Sequence, residues 1–275
     1  MIDFICPVCG RELRIGEKSY VCPENHTFDI SSEGYVNLLP VNKKHSRMPG
    51  DSKSMVNARR RFLEGGYYVI FREALGNLAV SFAGSGAKCA VIDAGCGEGY
   101  YTSGIKNFLD NANIDCDVAG IDISKFAIKA AAKHHKNIGF AVASAFSMPF
   151  KDGAASLLTD VFAPIVPQEF KRVLRSGGHM ILAVPGERHL YGLKEAVYDE
   201  PYENEIKETS YEGFRQIDRV RVEGNMELDG NEMISDLFAM TPYFWKTPER
   251  YSARVGELSQ LETEIQFDFL IYEKL

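Results

Sequence analysis

The chain has 275 residues, 45% of them hydrophobic and 25% charged, and a formal net charge of −7 at neutral pH. This composition suits one large soluble domain with an appendage, and the acidic balance excludes a generally basic coat for nucleic acid. No apolar run approaches membrane-spanning length, and the first residues lack the apolar core of a signal peptide. Three of the six cysteines crowd the first 22 residues, while Cys89, Cys96 and Cys116 sit in or beside predicted strands. They read as cytoplasmic thiols plus a metal site.

In chain order, residues 1–40 come first as a small metal-binding domain. Cys6-Pro-Val-Cys9 is followed, after twelve intervening residues, by Cys22-Pro-Glu-Asn-His26. Two close pairs joined by a hairpin bring four soft ligands within tetrahedral reach, the requirement of structural zinc. Four protein ligands leave no position for a reactive water, so Cys6, Cys9, Cys22 and His26 are expected to hold a structural Zn2+. So short a segment buries little core, and the metal would supply its folding free energy. Small zinc domains often bind nucleic acid, an inference by analogy. Tyr20, His26 and Phe28 are placed either to stack on bases or to pack around the knuckles.

Residues 41–84 read as a basic linker and helices. Between 41 and 64, Lys43, Lys44, Arg47, Lys53, Arg59, Arg60 and Arg61 face only Asp51 and Glu64, so a locally basic segment interrupts an acidic chain. Lys43, Lys44, Arg47, Arg59 and Arg60 are the candidates for holding RNA phosphates; the alternative is a solvated face whose arginines pair with acids such as Glu64. Three successive helical arginines fan out at ~100° steps, so at most two share a surface. Pro49-Gly50-Asp51-Ser52 marks a loop, and residues 55–82 read as helix interrupted at Gly65-Gly66.

From residue 85 to 275, strands and helices alternate. A strand over 89–93 runs into a turn with Gly95, Gly97 and Gly99 at alternate positions, then a helix from about 100. The spacing is neither G-x-G-x-x-G nor a P-loop. D-x-G-x-G-x-G after a strand resembles the first motif of the class I S-adenosylmethionine (SAM) methyltransferases, with Asp93 at its head. The next strand, 117–121, ends at Asp122, where nucleoside-binding folds place an acid on the ribose hydroxyls. A helix cap is the other reading of Asp122, although Ser124 is better placed for that. A helix over 124–134, strands at 139–143 and 155–160, a helix over 167–174 closed by Gly177-Gly178, and a strand at 179–184 follow. Alternation within 261–275 predicts a closing strand. The fold class expected is α/β, a Rossmann-like, parallel, doubly wound sheet.

Taken together, the knuckles, Asp29-Ile-Ser-Ser-Glu-Gly-Tyr-Val-Asn-Leu-Leu-Pro40, Pro49-Gly-Asp-Ser52, Ala58-Arg-Arg-Arg-Phe-Leu63, Gly-Cys-Gly-Glu-Gly-Tyr-Tyr101, Ile128-Lys-Ala-Ala-Ala-Lys133 and Pro185-Gly-Glu-Arg-His-Leu190 closely resemble the bacterial 23S ribosomal RNA guanine-N1 methyltransferases, the RlmA/RrmA family. Its relatives include macrolide-resistance enzymes. The likeness spans nearly the whole chain and is weakest between about 200 and 225. It implies methylation of guanine N1 in a hairpin loop of domain II of 23S rRNA, a homodimer, and zinc ligands at Cys6, Cys9, Cys22 and His26. It also implies SAM contacts at Tyr68, Gly99, Tyr100 and His189; Asp93, Gly95, Gly97 and Asp122 belong to the wider methyltransferase pattern.

One segment departs from a related pattern. Amino-group methyltransferases often carry Asn/Asp-Pro-Pro-Tyr after the fourth strand, whereas this chain has Asp160-Val-Phe-Ala-Pro164. Guanine N1 must lose a proton before its lone pair can attack, a different problem from an exocyclic amine. Asp160 is the candidate general base, with a capping or solvent-facing acid as the alternative. Phe162 either stacks on the target base or joins the core. A small-molecule methyltransferase leaves the zinc knuckles and arginines unexplained. An enzyme acting on tRNA or protein accounts for both, and a non-enzymatic zinc RNA-binding module leaves the glycine turn unexplained.

Overall fold

The computed structural model describes residues 2–40, 49–83, 89–206 and 209–275. Lys43, Lys44 and Arg47 lie outside the described residues. An amino-terminal ribbon of three short antiparallel strands, β1 (Arg14–Ile15), β2 (Ser19–Val21) and β3 (Thr27–Asp29), carries the cysteine knuckles. Two helices follow, α1 (Lys53–Glu64) and α2 (Val69–Phe82). Ser52 starts α1, its hydroxyl accepting the Met55 amide at 3.3 Å. Met55, Val56, Ala58, Phe62 and Leu63 then recur at helical spacing on its buried face. The turn at Gly65-Gly66 separates the two helices, as the sequence indicates.

The body is an eight-stranded sheet built from β5 (Cys89–Ala94), β6 (Cys116–Asp122), β7 (Gly139–Val142), β8 (Ala155–Val161), β9 (Leu174–Pro185), β10 (Phe214–Asp229) and β11 (Gln260–Lys274), together with β4 (Val36–Asn37). Their spatial order is β10-β11-β9-β8-β5-β6-β7-β4. The crossover helices are α3 (Tyr100–Asn111), α4 (Lys125–His134) and α5 (Pro167–Val173), and α6 (Tyr191–Val197) and α7 (Asn231–Ala239) come later in the chain. Every residue of β5 is buried, as a central strand covered on both faces requires. Successive residues supply opposite layers: Val91 joins Phe71, Ile105, Val118 and Phe267 in one cluster, and Ile92 joins Ile121, Phe150 and Leu182 in the other.

The amino-terminal segment is joined to the sheet: β4 pairs in parallel with β7, Val36 opposite Ala141, and Phe4 packs on Phe150 with ring centroids 5.4 Å apart. Three expectations need correction. The sheet is mixed: β11 runs antiparallel to both β9 and β10. Gly177-Gly178 does not cap a helix. α5 ends at Val173 and β9 begins at Leu174, so the glycines form a bulge, with Gly177 at φ +68°, between the pairings of Leu174 with Ala155 and of His179 with Leu157. Cys89 and Cys116 are not thiols. Directly opposed across β5 and β6, with Cα atoms 4.5 Å apart, they are joined as a disulfide. No helix among the described residues is long and apolar enough to cross a membrane.

Candidate functional site

Two tight turns make the metal centre. Gly10, at φ +72°, sends its amide to the Cys6 carbonyl at 2.8 Å, and Asn25, at φ +61°, does the same to Cys22 at 2.9 Å. Both turns point sulfur inward. The ligand atoms of Cys6, Cys9, Cys22 and His26 all lie within 4.8 Å of one another. Cys9 and Cys22 sulfurs are 3.7 Å apart, and His26 Nδ1 lies 3.5 Å from Cys6 Sγ and 3.3 Å from Cys22 Sγ. A zinc tetrahedron with bonds of about 2.3 Å to sulfur and about 2.0 Å to nitrogen has edges of roughly 3.5–3.8 Å. The four side chains fit zinc, and His26 presents Nδ1 to the cysteine sulfurs.

The second site lies at the carboxyl ends of β5, β6 and β8, the crevice where such sheets take ligands. Gly95, Gly97 and Gly99 all have positive φ. At Gly95 the requirement is also steric, since a Cβ there would sit 2.3 Å from Cβ of Ala163. Gly99 caps α3, so the helix amino terminus opens onto the crevice. Asp122 ends β6, with Oδ2 accepting the Gly97 amide at 3.1 Å and Oδ1 the Ser124 amide at 2.7 Å. Each oxygen keeps a free lone pair for a sugar hydroxyl. Capping α4 falls to Ser124, whose hydroxyl accepts the Ala127 amide.

Asp93 is 1% exposed, and its two oxygens accept the hydroxyls of Thr102 (2.5 Å) and Thr159 (2.8 Å). It ties α3 and β8 to the turn, with burial pushing its carboxyl up to about 6. Tyr68 and His189 meet across the crevice, Tyr68 Oη 3.4 Å from His189 Nε2. The Gln266 amide donates to His189 Nδ1 at 3.1 Å, which leaves the ring proton on Nε2. Burial drives the imidazole down to about 3, so it is neutral at working pH. Tyr100 stacks beneath the Arg72 guanidinium, 4.9 Å from the ring centre.

Asp160 is 2% exposed; Oδ1 accepts the Ala163 amide at 3.1 Å, while Oδ2 is buried without a partner among the described residues. Burial, aided by the charge of Asp93, pushes its carboxyl up to about 7 against the Ala163 amide. Phe162 has a left-handed backbone, φ +57°, and an exposed ring packed edge-on against Phe267. A second buried atom without a partner among the described residues is the Tyr101 hydroxyl, in the first turn of α3 and within electrostatic reach of Tyr68, Tyr100 and Arg59. Such an orphan, beside a turn that excludes side chains and an acid with spare lone pairs, fits a polar nucleoside cofactor.

The three arginines diverge as their helical spacing dictates. Arg59 pairs with Asp51 over the glycine turn, so it does not face outward as an RNA contact would. Arg60 reaches Glu64 (2.8 Å) and His134 (2.7 Å), and Arg61 grips Asp236 of α7 with two bonds (2.6 and 2.7 Å). The sequence reading missed Tyr101, Thr102, Thr159 and Gln266. Of these, Tyr101 alone carried a signal, in the doubled tyrosine after the turn.

A profile described as "RlmA, N-terminal", a zinc ribbon, matches residues 4–47, and one described as "Methyltransferase domain" matches residues 85–229. The chain is 32% identical to the 23S rRNA (guanine(748)-N(1))-methyltransferase of Streptomyces fradiae, over 92% of this chain and 90% of that one. The chain belongs to the 23S rRNA (guanine-N1)-methyltransferase family. A Bacillus subtilis protein, YxjB, classed with the same family, is 31% identical over 98% of this chain and 96% of its own. A Micromonospora griseorubida protein of that class is 32% identical over 93% and 91%. The enzyme is thus a SAM-dependent rRNA methyltransferase, with zinc as its structural ion.

Proposed function

We propose that the enzyme methylates N1 of a guanine in a hairpin loop of domain II of 23S rRNA, with Asp160 as general base. The observation that carries the chemistry is the buried, singly bonded Asp160 carboxylate beside the exposed Phe162 ring. SAM, when bound, supplies an activated methyl group, so the protein's work is alignment, exclusion of water and removal of one proton. Asp160 Oδ2 takes the N1 proton. A carboxyl that titrates near 7 is matched to that task, ionised in useful amount yet basic enough to accept. Phe162 stacks on the guanine face, its strained backbone holding the ring outward.

Asp122 holds the ribose, and the Gly95–Gly99 turn, Tyr68, Tyr100 and His189 complete the cofactor pocket. Neutral His189 adds no charge that would repel the cofactor's sulfonium. The zinc ribbon and the basic segment, including Arg60, engage the rRNA backbone. Arg60 is only partly committed, because its pair with Glu64 and its contact with His134 are both solvent-exposed.

The test is incubation with radiolabelled SAM and deproteinised total RNA, followed by size fractionation and primer extension. Methylation at N1 blocks Watson–Crick pairing, so the reading expects label in 23S rRNA and one new stop at a domain II hairpin guanine. Label confined to tRNA, or 23S label without a stop, contradicts it.

A further inference from the structure

The one arginine of the triplet that faces the crevice has a chemistry of its own. Arg59 is 23% exposed and salt-bridged to Asp51, whose carbonyl is held by the Ser124 hydroxyl at 2.8 Å. Its Nη1 lies 3.9 Å from where a Cβ of Gly97 would stand, directly over the glycine turn. Glu98 and Asp122 lie within electrostatic reach of the same guanidinium. Three carboxylates therefore surround one cation in a largely closed space. The Tyr101 hydroxyl, buried and without a partner among the described residues, also feels the Arg59 charge.

This arrangement selects a ligand group. Asp51, Glu98 and Asp122 offset the guanidinium, so a run of phosphates is disfavoured here, whereas a single carboxylate that brings its own ammonium adds no net negative charge. Asp122 suits hydroxyls, and the acids suit an ammonium group. A guanidinium and a phenolic hydroxyl, both donors, suit a single carboxylate. The amino-acid end of SAM carries one carboxylate next to one ammonium.

We propose that Arg59 and the Tyr101 hydroxyl form the subsite for the α-carboxylate of the cofactor's methionine moiety, with Asp51 holding the guanidinium in place. Arg59 is then a cofactor-binding residue, and the basic cluster on α1 divides its labour: Arg59 for cofactor, Arg60 for the surface, Arg61 for anchoring α7. The proposal rests on the cofactor reading of the Gly95–Gly99 turn.

Calorimetry of the full-length zinc-loaded protein with two ligands tests it. One is S-adenosylhomocysteine; the other is its decarboxylated analogue, which keeps the nucleoside, thioether and amine. The native protein should prefer the carboxylated ligand. Arg59→Gln should weaken S-adenosylhomocysteine roughly 10- to 100-fold, the range for a charge-assisted bond, while leaving the analogue within about twofold. Tyr101→Phe should weaken it several-fold with the same selectivity, and Arg59→Lys should fall between the native protein and Arg59→Gln. Retained analogue binding reports an intact pocket. Equal loss of both ligands in Arg59→Gln, or loss of neither, would overturn the proposal. Native protein that binds neither ligand would instead overturn the cofactor reading itself.

Discussion

The zinc ribbon and the cofactor crevice are assembled by opposite strategies. The ribbon takes four ligands from 21 consecutive residues, with two turns fixing their geometry and a metal supplying the folding energy. The crevice draws side chains from α1, β5, β6, β8, the β9–α6 connection and β11, and its geometry exists only once the sheet has formed. The ribbon is locally specified and metal-dependent; the crevice is globally specified and metal-independent. They meet at β4, which pairs with β7 beside the strand bearing Asp122.

Zinc removal should separate the two most sharply. Structural zinc in small fingers contributes apparent free energies of about 10–16 kcal/mol, so chelation or Cys22→Ser should unfold the ribbon. Hydrogen exchange should then show the amides of residues 5–30 exchanging freely while those of β5 and β6 stay protected, with S-adenosylhomocysteine still bound. Global unfolding on chelation would mean the crevice depends on the ribbon far more than the β4–β7 pairing and the packing of Phe4 on Phe150 imply.

Asp160→Asn probes the crevice alone. Single-turnover methyl transfer should fall by roughly 10²–10⁴, the usual worth of a general base, with cofactor affinity unchanged. Its effect on stability has the opposite sign. The folded carboxyl titrates near 7 against 3.8 for the ordinary group, so between those values the folded state holds a proton that the unfolded chain has lost. Stability from this group is therefore full below about 3.8 and is lost as pH rises towards 7. The amide variant should melt higher than the native protein at pH 8 and alike at pH 4, by scanning calorimetry.

Asp122→Ala should cost about 1–3 kcal/mol in SAM binding, the range for charge-assisted hydrogen bonds. Unchanged affinity by titration calorimetry would mean that the carboxylate serves only the Gly97 and Ser124 amides. Phe162→Ala should weaken the rRNA hairpin by about 1–3 kcal/mol if the ring stacks on a base, with no change in cofactor affinity. Gel-shift titration reads this, and unaltered RNA binding would return Phe162 to its packing against Phe267. Smallest is Arg60→Gln, which should lower stability by no more than a few tenths of a kcal/mol yet flatten the salt dependence of RNA binding by up to about one unit of log–log slope. An unchanged slope would confine Arg60 to its contacts with Glu64 and His134.

What the sequence makes legible follows the same division. The knuckles could be recognised because four residues at short spacing carry the whole signal. The β5–turn–α3 segment and Asp122 could be recognised because buried strands, alternate glycines and a capping serine punctuate the chain locally. The direction of Arg59 could not be read, since adjacent arginines on a helix point three ways and only the docking of α1 decides which meets the crevice. Gln266, which fixes the His189 tautomer from 77 positions away, left no local trace. β10 is poorly legible although Val220, Val222 and Gly224 alternate with charged residues; as an edge strand it reads like a polar loop. Gly177-Gly178 suggested a helix cap because a bulge and a cap both call for left-handed glycine.

The most direct measurement is the single-turnover rate of N1 methylation on 23S rRNA between pH 5.5 and 8.5, for the native enzyme and Asp160→Asn side by side. The account predicts a native rate that rises about tenfold per pH unit on the acid side and levels off above about 7, as the Asp160 carboxyl ionises. The variant should show a low rate without that limb. An Asp160→Asn enzyme that keeps the native rate and the same ascending limb would contradict the assignment of Asp160 as the base.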